Sequence, residues 1–252
     1  MTGDIPRAAV LAYRAAGHGL GRRRPAGDLA GAAGTIGLRR TKHTAVALAA
    51  RVEGVAAGDL ERALEAEVLV VVFGARGTLM VVPAADVEVF TRGTAPAGEA
   101  SLRAAVPGAY LRQLDAAGMA VADALAAVVH AVRDALAGGP RPRGETAMAV
   151  TRALPGVLSP PCRGRCPDPH VEDSLFRLAG VVGTMRFVGA TDDLVAMDGS
   201  ALSDERARAE LVRRYLRCYG PAAPATLAEW AGISVDDARR SLAGAAAVTV
   251  TD

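Results

Sequence analysis

Four side chains able to carry positive charge lie close together in the segment GTIGLRRTKHT, residues 34–44. They are Arg39, Arg40, Lys42 and His43. Clustered cations bind phosphate groups, and phosphate contact is the first chemistry that this segment predicts. The Lys42 amine could also attack a sugar carbon as a Schiff-base nucleophile, and His43 could transfer protons near neutral pH. The alternative for all four residues is a loop of solvated charge.

A second candidate site is the segment CRGRCPDPH, residues 162–170. Cys162, Cys166 and His170 carry thiol and imidazole groups, which are the ligands that zinc prefers. Their spacing is not that of a standard zinc ribbon, and a fourth ligand would have to come from Cys218 or from a carboxylate. A structural zinc is one prediction. The other is a pair of thiols beside a surface histidine in a proline-rich loop.

The positive charge of the chain is concentrated near its start. The whole chain has a net charge of only +2, whereas residues 1–51 contain nine Lys or Arg residues against Asp4 and Asp28, a balance of +7. This distribution predicts a local anion-binding face rather than a general attraction to polyanions.

Composition and hydropathy argue against several classes of protein. Hydrophobic residues make up 51% of the 252 residues, which is enough for a sizeable core and suggests roughly two domains. The start of the chain lacks the pattern of a secretory signal, and no apolar run reaches the ~20 residues that span a bilayer. Three cysteines are too few for a disulfide framework. We therefore predict a cytoplasmic protein without a membrane partner.

The elements that position these residues follow a pattern of helices and then a β-hairpin. In residues 1–95, helical segments precede two β-rich runs, 68–73 and 78–82, which are joined by the loop GARG. A loop framed by glycines predicts a hairpin with Arg76 at its tip, where Arg76 is a further candidate for a phosphate or groove contact. Helices followed by such a hairpin form a winged-helix module.

The same pattern recurs, more loosely, in residues 96–203. Its helical segments are 119–137, 145–153 and 171–182. They precede two strands around residues 189–193 and predict a second winged-helix-like module.

A third module is predicted in residues 204–252. After a long amphipathic helix, two short helices joined by Gly-Ile-Ser predict a helix-turn-helix, with Ser234 as the N-cap of its second helix. Asp236 and Asp237 at the start of that helix oppose phosphate, so we expect this module to pack rather than to read DNA. A strand then begins without a hairpin partner, and we expect the module to stop short at its wing.

Three stretches of the chain resemble a known family. They are DLERALEAE with the following RGTLMVVPAADVEVF, HVEDSLFRLAG, and RAELVRRYLRCYGPAAPATLAEWAGIS. Together they are similar to the tandem winged-helix family of bacterial DNA glycosylases, which excise alkylated bases and unhook interstrand crosslinks, some of them in self-resistance to genotoxins. The resemblance implies an α+β, mostly helical fold and duplex DNA as the partner. It also implies that members continue into a C-terminal β-barrel, which we expect this chain to lack.

The family's catalytic motif, Gln-apolar-Gln or Gln-apolar-Asp, corresponds here to Gly37-Leu38-Arg39. The motif's amide or carboxylate positions a water against a sugar that develops oxocarbenium character. An arginine cannot accept a proton from that water, and it places positive charge beside a cation. The chain's single glutamine, Gln113, lies far from this position. Whether the protein is an enzyme is therefore left open by the sequence.

These observations predict a winged-helix DNA-binding protein of glycosylase ancestry without normal base-excision chemistry, tied to DNA damage or genotoxin self-resistance. Its predicted DNA contacts are Arg39, Arg40, Lys42 and Arg76. One alternative is an active DNA glycosylase with an atypical site. Another is an enzyme or binder for small molecules that uses the cleft between modules.

Overall fold

The computed structural model describes residues 4–161, 168–197, 199–245 and 248–251. Of the predicted site residues, Cys162 and Cys166 lie outside this range. The described chain is mostly helical with three small sheets, which confirms the predicted α+β, mostly helical fold. Within it, no individual helix has the length and apolarity needed to cross a bilayer, although one bent helix pair, residues 108–116 with 121–136, passes that test when taken together.

The N-terminal part of the chain builds the first sheet. Its elements are β1 (Asp4–Pro6), α1 (Arg7–Gly17), α2 (Leu29–Ala33), β2 (Leu38–Arg39), α3 (Thr44–Ala49), α4 (Asp59–Glu65), β3 (Leu69–Phe73) and β4 (Leu79–Pro83). The predicted hairpin is formed by β3 and β4, and β2 adds to it antiparallel to β4. Helix α2 begins where predicted because the Asp28 carboxylate accepts a hydrogen bond from the Gly31 amide at 2.9 Å.

The second part repeats this order after three short helices. Its elements are α5 (Val87–Phe90), α6 (Gly98–Ala104), α7 (Gly108–Ala116), α8 (Val121–Leu136), β5 (Arg141–Pro142), α9 (Arg143–Ala153), α10 (Asp173–Val181), β6 (Met185–Phe187) and β7 (Asp193–Ala196). The strand order β5-β7-β6 matches the order β2-β4-β3 of the first sheet. Each sheet thus consists of a hairpin joined by a short strand, and that strand precedes two helices in the chain.

The last part consists of α11 (Asp204–Tyr219), α12 (Pro224–Ala231), α13 (Val235–Ser241) and β8 (Thr249–Thr251). The predicted helix-turn-helix is formed by α12 and α13. Gly232 caps α12 in a left-handed conformation, and the Ser234 hydroxyl accepts from the Asp237 amide as the N-cap of α13. Strand β8 pairs in parallel with β1, so the two ends of the described chain lie side by side.

The hydrophobic core joins the three parts. One cluster of buried side chains includes residues of both three-stranded sheets, such as Phe73 and Phe187. The opposite face of the first sheet is covered by α5 and by Leu211 of α11. The first sheet therefore contributes residues to both clusters, one on each of its faces.

Candidate functional site

The residues predicted to correspond to the glycosylase motif lie at the start of β2. Leu38 is buried and pairs with Val81, on the face of the sheet that contributes to the main core. Alternation along a strand places residues 37 and 39 on the opposite face. Leu38 thus has a core position, whereas of the two flanking residues Gly37 is buried and Arg39 is exposed.

Gly37 is enclosed on that face. It is buried and has a φ of +73°, a conformation that favours glycine. A Cβ atom at this position would lie 2.4 Å from Cε of Met80 and 3.4 Å from the ring of Phe90. A longer side chain at this position would therefore require the end of Met80 to move.

Arg39 is exposed, and the turn that follows it is held by hydrogen bonds to the buried Thr44 hydroxyl. Thr44 is buried, and its hydroxyl lies 3.0 Å from the Arg39 carbonyl oxygen and 2.8 Å from the Thr41 carbonyl oxygen. The same hydroxyl accepts from the Thr41 amide at 2.8 Å. The structure thereby presents the predicted candidates Lys42 and His43 on an exposed turn between β2 and α3.

Arg40 differs from its neighbours because it is half-buried. Its backbone amide donates to the Leu79 carbonyl at 2.8 Å, which extends the pairing of β2 with β4 by one residue. Its Nη1 atom is buried and has no hydrogen-bond acceptor among the described residues. A buried guanidinium nitrogen without an acceptor is costly to the fold.

Arg76 lies at the hairpin tip as predicted, with an exposed side chain and a φ of +57°. Because β2 neighbours β4, this tip and the turn at residues 40–43 lie at the same end of the sheet. The tip is held on two sides: the Arg177 guanidinium donates to the Gly77 carbonyl at 3.2 Å, and Cγ of Arg76 would lie 2.7 Å from a Cβ at Gly232. The tip is thus packed between α10 and α12.

The predicted zinc site falls mostly outside the described residues, since Cys162 and Cys166 lie there. His170 is half-buried and lines a cavity of about 490 Å³ together with Tyr110 and Glu172. Burial raises the pKa of Tyr110 to about 12. Within the described residues no group of three His, Cys, Asp or Glu side chains could hold a metal ion. Cys218 is buried, with its Sγ directed to the Gly17 and Thr35 carbonyls.

Helices α10 and α13 both begin with acidic residues. Glu172 caps α10, accepting from the Ser174 amide at 2.7 Å. At the start of α13, Asp236 and Asp237 form ion pairs with Arg239 and Arg240. Both helix starts are therefore occupied by the chain's own carboxylates.

Sequence reasoning missed the contacts of Asp237. This side chain is only 4% exposed, and it accepts hydrogen bonds from the Ser101 hydroxyl and, at 3.2 Å, from the Ala97 amide. It thereby ties α13 to the start of α6. The two partners lie more than 130 positions away in the chain, and no local pattern indicates such a contact.

Comparison with known proteins identifies the family of this chain. The family of AlkZ-like DNA glycosylases matches residues 33–252, and the chain therefore belongs to that family. Among solved structures, the chain is similar to the Streptomyces sahachiroi DNA glycosylase AlkZ, with a TM-score of 0.67 and 16% sequence identity. The match covers 95% of this chain and 65% of that one. No curated protein has significant sequence similarity to the chain.

Proposed function

We propose that this protein binds duplex DNA and that its motif position does not support normal base excision. The observation that carries the proposal is the geometry at residues 37–39. In a protein that belongs to a DNA glycosylase family, position 37 is a glycine enclosed by Met80 and position 39 is an exposed arginine.

The chemistry of base excision explains why this position matters. A water molecule must be oriented and deprotonated as the sugar gains positive charge. Gly37 has no side chain to orient water, and the Arg39 guanidinium neither accepts a proton nor stabilises a neighbouring cation. The residues at positions 37 and 39 therefore work against the reaction that the motif performs in the family.

The same residues favour phosphate binding. Neither Arg39 nor Lys42 forms an ion pair with any carboxylate in the described part of the chain. Arg40 adds a buried nitrogen without an acceptor. Cations that are not already neutralised are the ones that release counterions when they meet a phosphate backbone, and the resulting affinity depends steeply on salt.

Duplex binding is tested by fluorescence anisotropy with a short labelled duplex between ~50 and ~200 mM salt. We expect binding that weakens steeply over this range and depends little on sequence. The triple variant Arg39→Ala, Arg40→Ala, Lys42→Ala should lose about two to three units of the salt slope. Arg133→Ala, an exposed arginine on α8, is the matched control and should leave the slope unchanged.

Excision is tested on a duplex that contains one N7-methylguanine, with abasic sites detected by cleavage in hot alkali. We expect no cleavage above the background of the duplex alone. Excision would overturn this half of the proposal and favour an atypical active site, which Lys42→Ala and His43→Ala would then examine. Absence of duplex binding at the lowest salt would overturn the other half and favour a ligand in the cleft between modules.

A further inference from the structure

A cavity lined by arginines lies apart from the basic turn at residues 40–43. It has a volume of about 360 Å³ and is formed where the end of α1, helix α2 and the C-terminal half of α11 meet. Its charged lining consists of four arginines and the carboxylate of Asp86, and glycines supply much of its wall. The residues that matter here are Gly17, Gly31, Gly34, Arg24, Arg213 and Arg217.

Three glycines at the edge of the cavity stand where a side chain would collide with neighbouring atoms. A Cβ at Gly31 would lie 2.4 Å from Oδ1 of Asp28, and one at Gly17 would lie 2.1 Å from the Arg217 carbonyl oxygen. A Cβ at Gly34 would lie 3.0 Å from the Ala30 carbonyl oxygen. The chain is thus closely packed around these glycines, and the cavity beside them is open next to charged side chains and large enough for a compact anion.

Two of the arginines are held in place by carboxylates that leave part of each guanidinium free. Arg24 uses Nη1 to bind Asp28 at 2.8 Å. Arg213 uses Nε and Nη2 to bind Glu210, each at 2.7 Å, so its Nη1 remains available. A guanidinium that is already oriented loses little rotamer freedom when it donates to a further group.

The arginines outnumber the carboxylates around this cavity. Arg214 is neutralised by Asp86 and by Glu210, which it shares with Arg213. Arg217 is exposed and forms no ion pair with a carboxylate of the described residues. Four arginines thus face the three carboxylates of Asp28, Asp86 and Glu210, and Arg22 and Arg23 precede Arg24 in the chain without ion pairs of their own in the described structure.

We propose that this cavity binds a backbone phosphate of duplex DNA, with Arg213 and Arg217 as its principal donors. Arginine forks match the geometry of phosphate oxygens. The cavity and the turn at residues 40–43 are connected through α3: Arg24 donates its amide to the Arg51 carbonyl just beyond α3, which is about 9 Å long. The protein would then hold the duplex at two points. This inference rests on the proposed function.

The test uses the full chain with Arg213→Gln and Arg217→Gln combined. Glu210 keeps Arg214 as a partner in this variant, so the fold should be preserved, which circular dichroism verifies. We expect the salt slope of duplex binding to fall by about one unit and the affinity at ~50 mM salt to weaken several-fold. Arg206→Gln is the matched control because it lies on the same helix and nearly the same face, about 10 Å from Arg213 and about 16 Å from Arg217 along the helix axis. A double variant that binds like Arg206→Gln would overturn the inference.

An experiment with inorganic phosphate distinguishes failure of this inference from failure of the proposed function. Thermal unfolding is measured with phosphate and with chloride at equal ionic strength. If the wild-type protein binds no duplex, the proposed function fails, and stabilisation by phosphate that the double variant lacks would keep the cavity as a site for free phosphate. If the wild-type protein binds no duplex and phosphate does not raise its unfolding temperature, the inference that the cavity binds phosphate is overturned as well.

Discussion

At the scale of single residues, Gly37 decides what the motif position can become. Its φ of +73° opposes a side chain, and the 2.4 Å distance from a Cβ to Cε of Met80 requires the end of that flexible side chain to move. We expect Gly37→Gln to destabilise the protein by about 2 kcal/mol, because it combines backbone strain with overpacking of a filled core. Urea unfolding measures this difference.

Arg39→Gln provides the comparison for that experiment. Arg39 is exposed, so its replacement should change stability by less than about 0.5 kcal/mol. If Gly37→Gln proved as stable as Arg39→Gln, Met80 would have to move readily, and the motif position would be open to a polar side chain.

Asp237 makes stability depend on pH. Burial alone would raise the pKa of its carboxyl, but hydrogen bonds from Ser101 and Ala97 and the ion pair with Arg240 outweigh burial and lower it below 3.8. A lowered pKa means that the carboxylate stabilises the fold above the unfolded-state value, and that this contribution is lost as pH falls through the lower folded-state value. We expect Asp237→Asn to cost about 2 kcal/mol at pH 7, with the difference shrinking below about pH 4.

The neighbouring Asp236 controls for the change of charge. Its side chain is 74% exposed in its ion pair with Arg239, so Asp236→Asn should change stability little at any pH. Chemical denaturation at several pH values compares the two variants. Equal, pH-independent effects would show that Asp237 does not hold α13 to α6.

At the scale of elements, the contact between α1 and α11 depends on a glycine. A Cβ at Gly17 would lie 2.1 Å from the Arg217 carbonyl oxygen, which is backbone and cannot step aside. We expect Gly17→Ala to force the helices apart and to cost about 2 kcal/mol in thermal or urea unfolding. Gly21→Ala is the matched control, since a Cβ there meets nothing within 4 Å. Equal stability of the two variants would contradict close packing of α1 on α11.

Local signals account for the elements that the sequence predicted well. The hairpin was expected at 68–73 and 78–82 and is found at Leu69–Phe73 and Leu79–Pro83. The caps at Asp28 and Ser234 are also local, since each acts on an amide three residues away. Strands β1 and β8 were not predicted as partners, because they are three residues long and lie at opposite ends of the chain without a turn between them. The contact of Gly37 with Met80 was also missed, because it depends on the pairing of β2 with β4, which no local pattern indicates.

At the scale of the whole molecule, the first sheet links all three parts. Its main-core face is continuous with the second sheet, and its other face contacts α11 through Leu211. The ion pairs of Arg214 with Asp86, at 2.6 Å and largely sheltered from solvent, add a polar link between α11 and the segment after β4. Parts that share a core are expected to unfold together rather than as separate domains.

The single tryptophan allows that expectation to be tested without labels. Trp230 lies on α12, where it packs between Tyr215 and the cluster that includes Leu211. Its fluorescence therefore reports on the last part of the chain, whereas far-ultraviolet circular dichroism reports on helices throughout. We expect the two urea transitions to coincide. Trp230 of α12 packs against the same cluster as Leu211 and the first sheet, so unfolding of α12 would expose part of that cluster. A fluorescence transition at lower urea would show that α11 to α13 unfold first, and the shared core would then be confined to the first two parts.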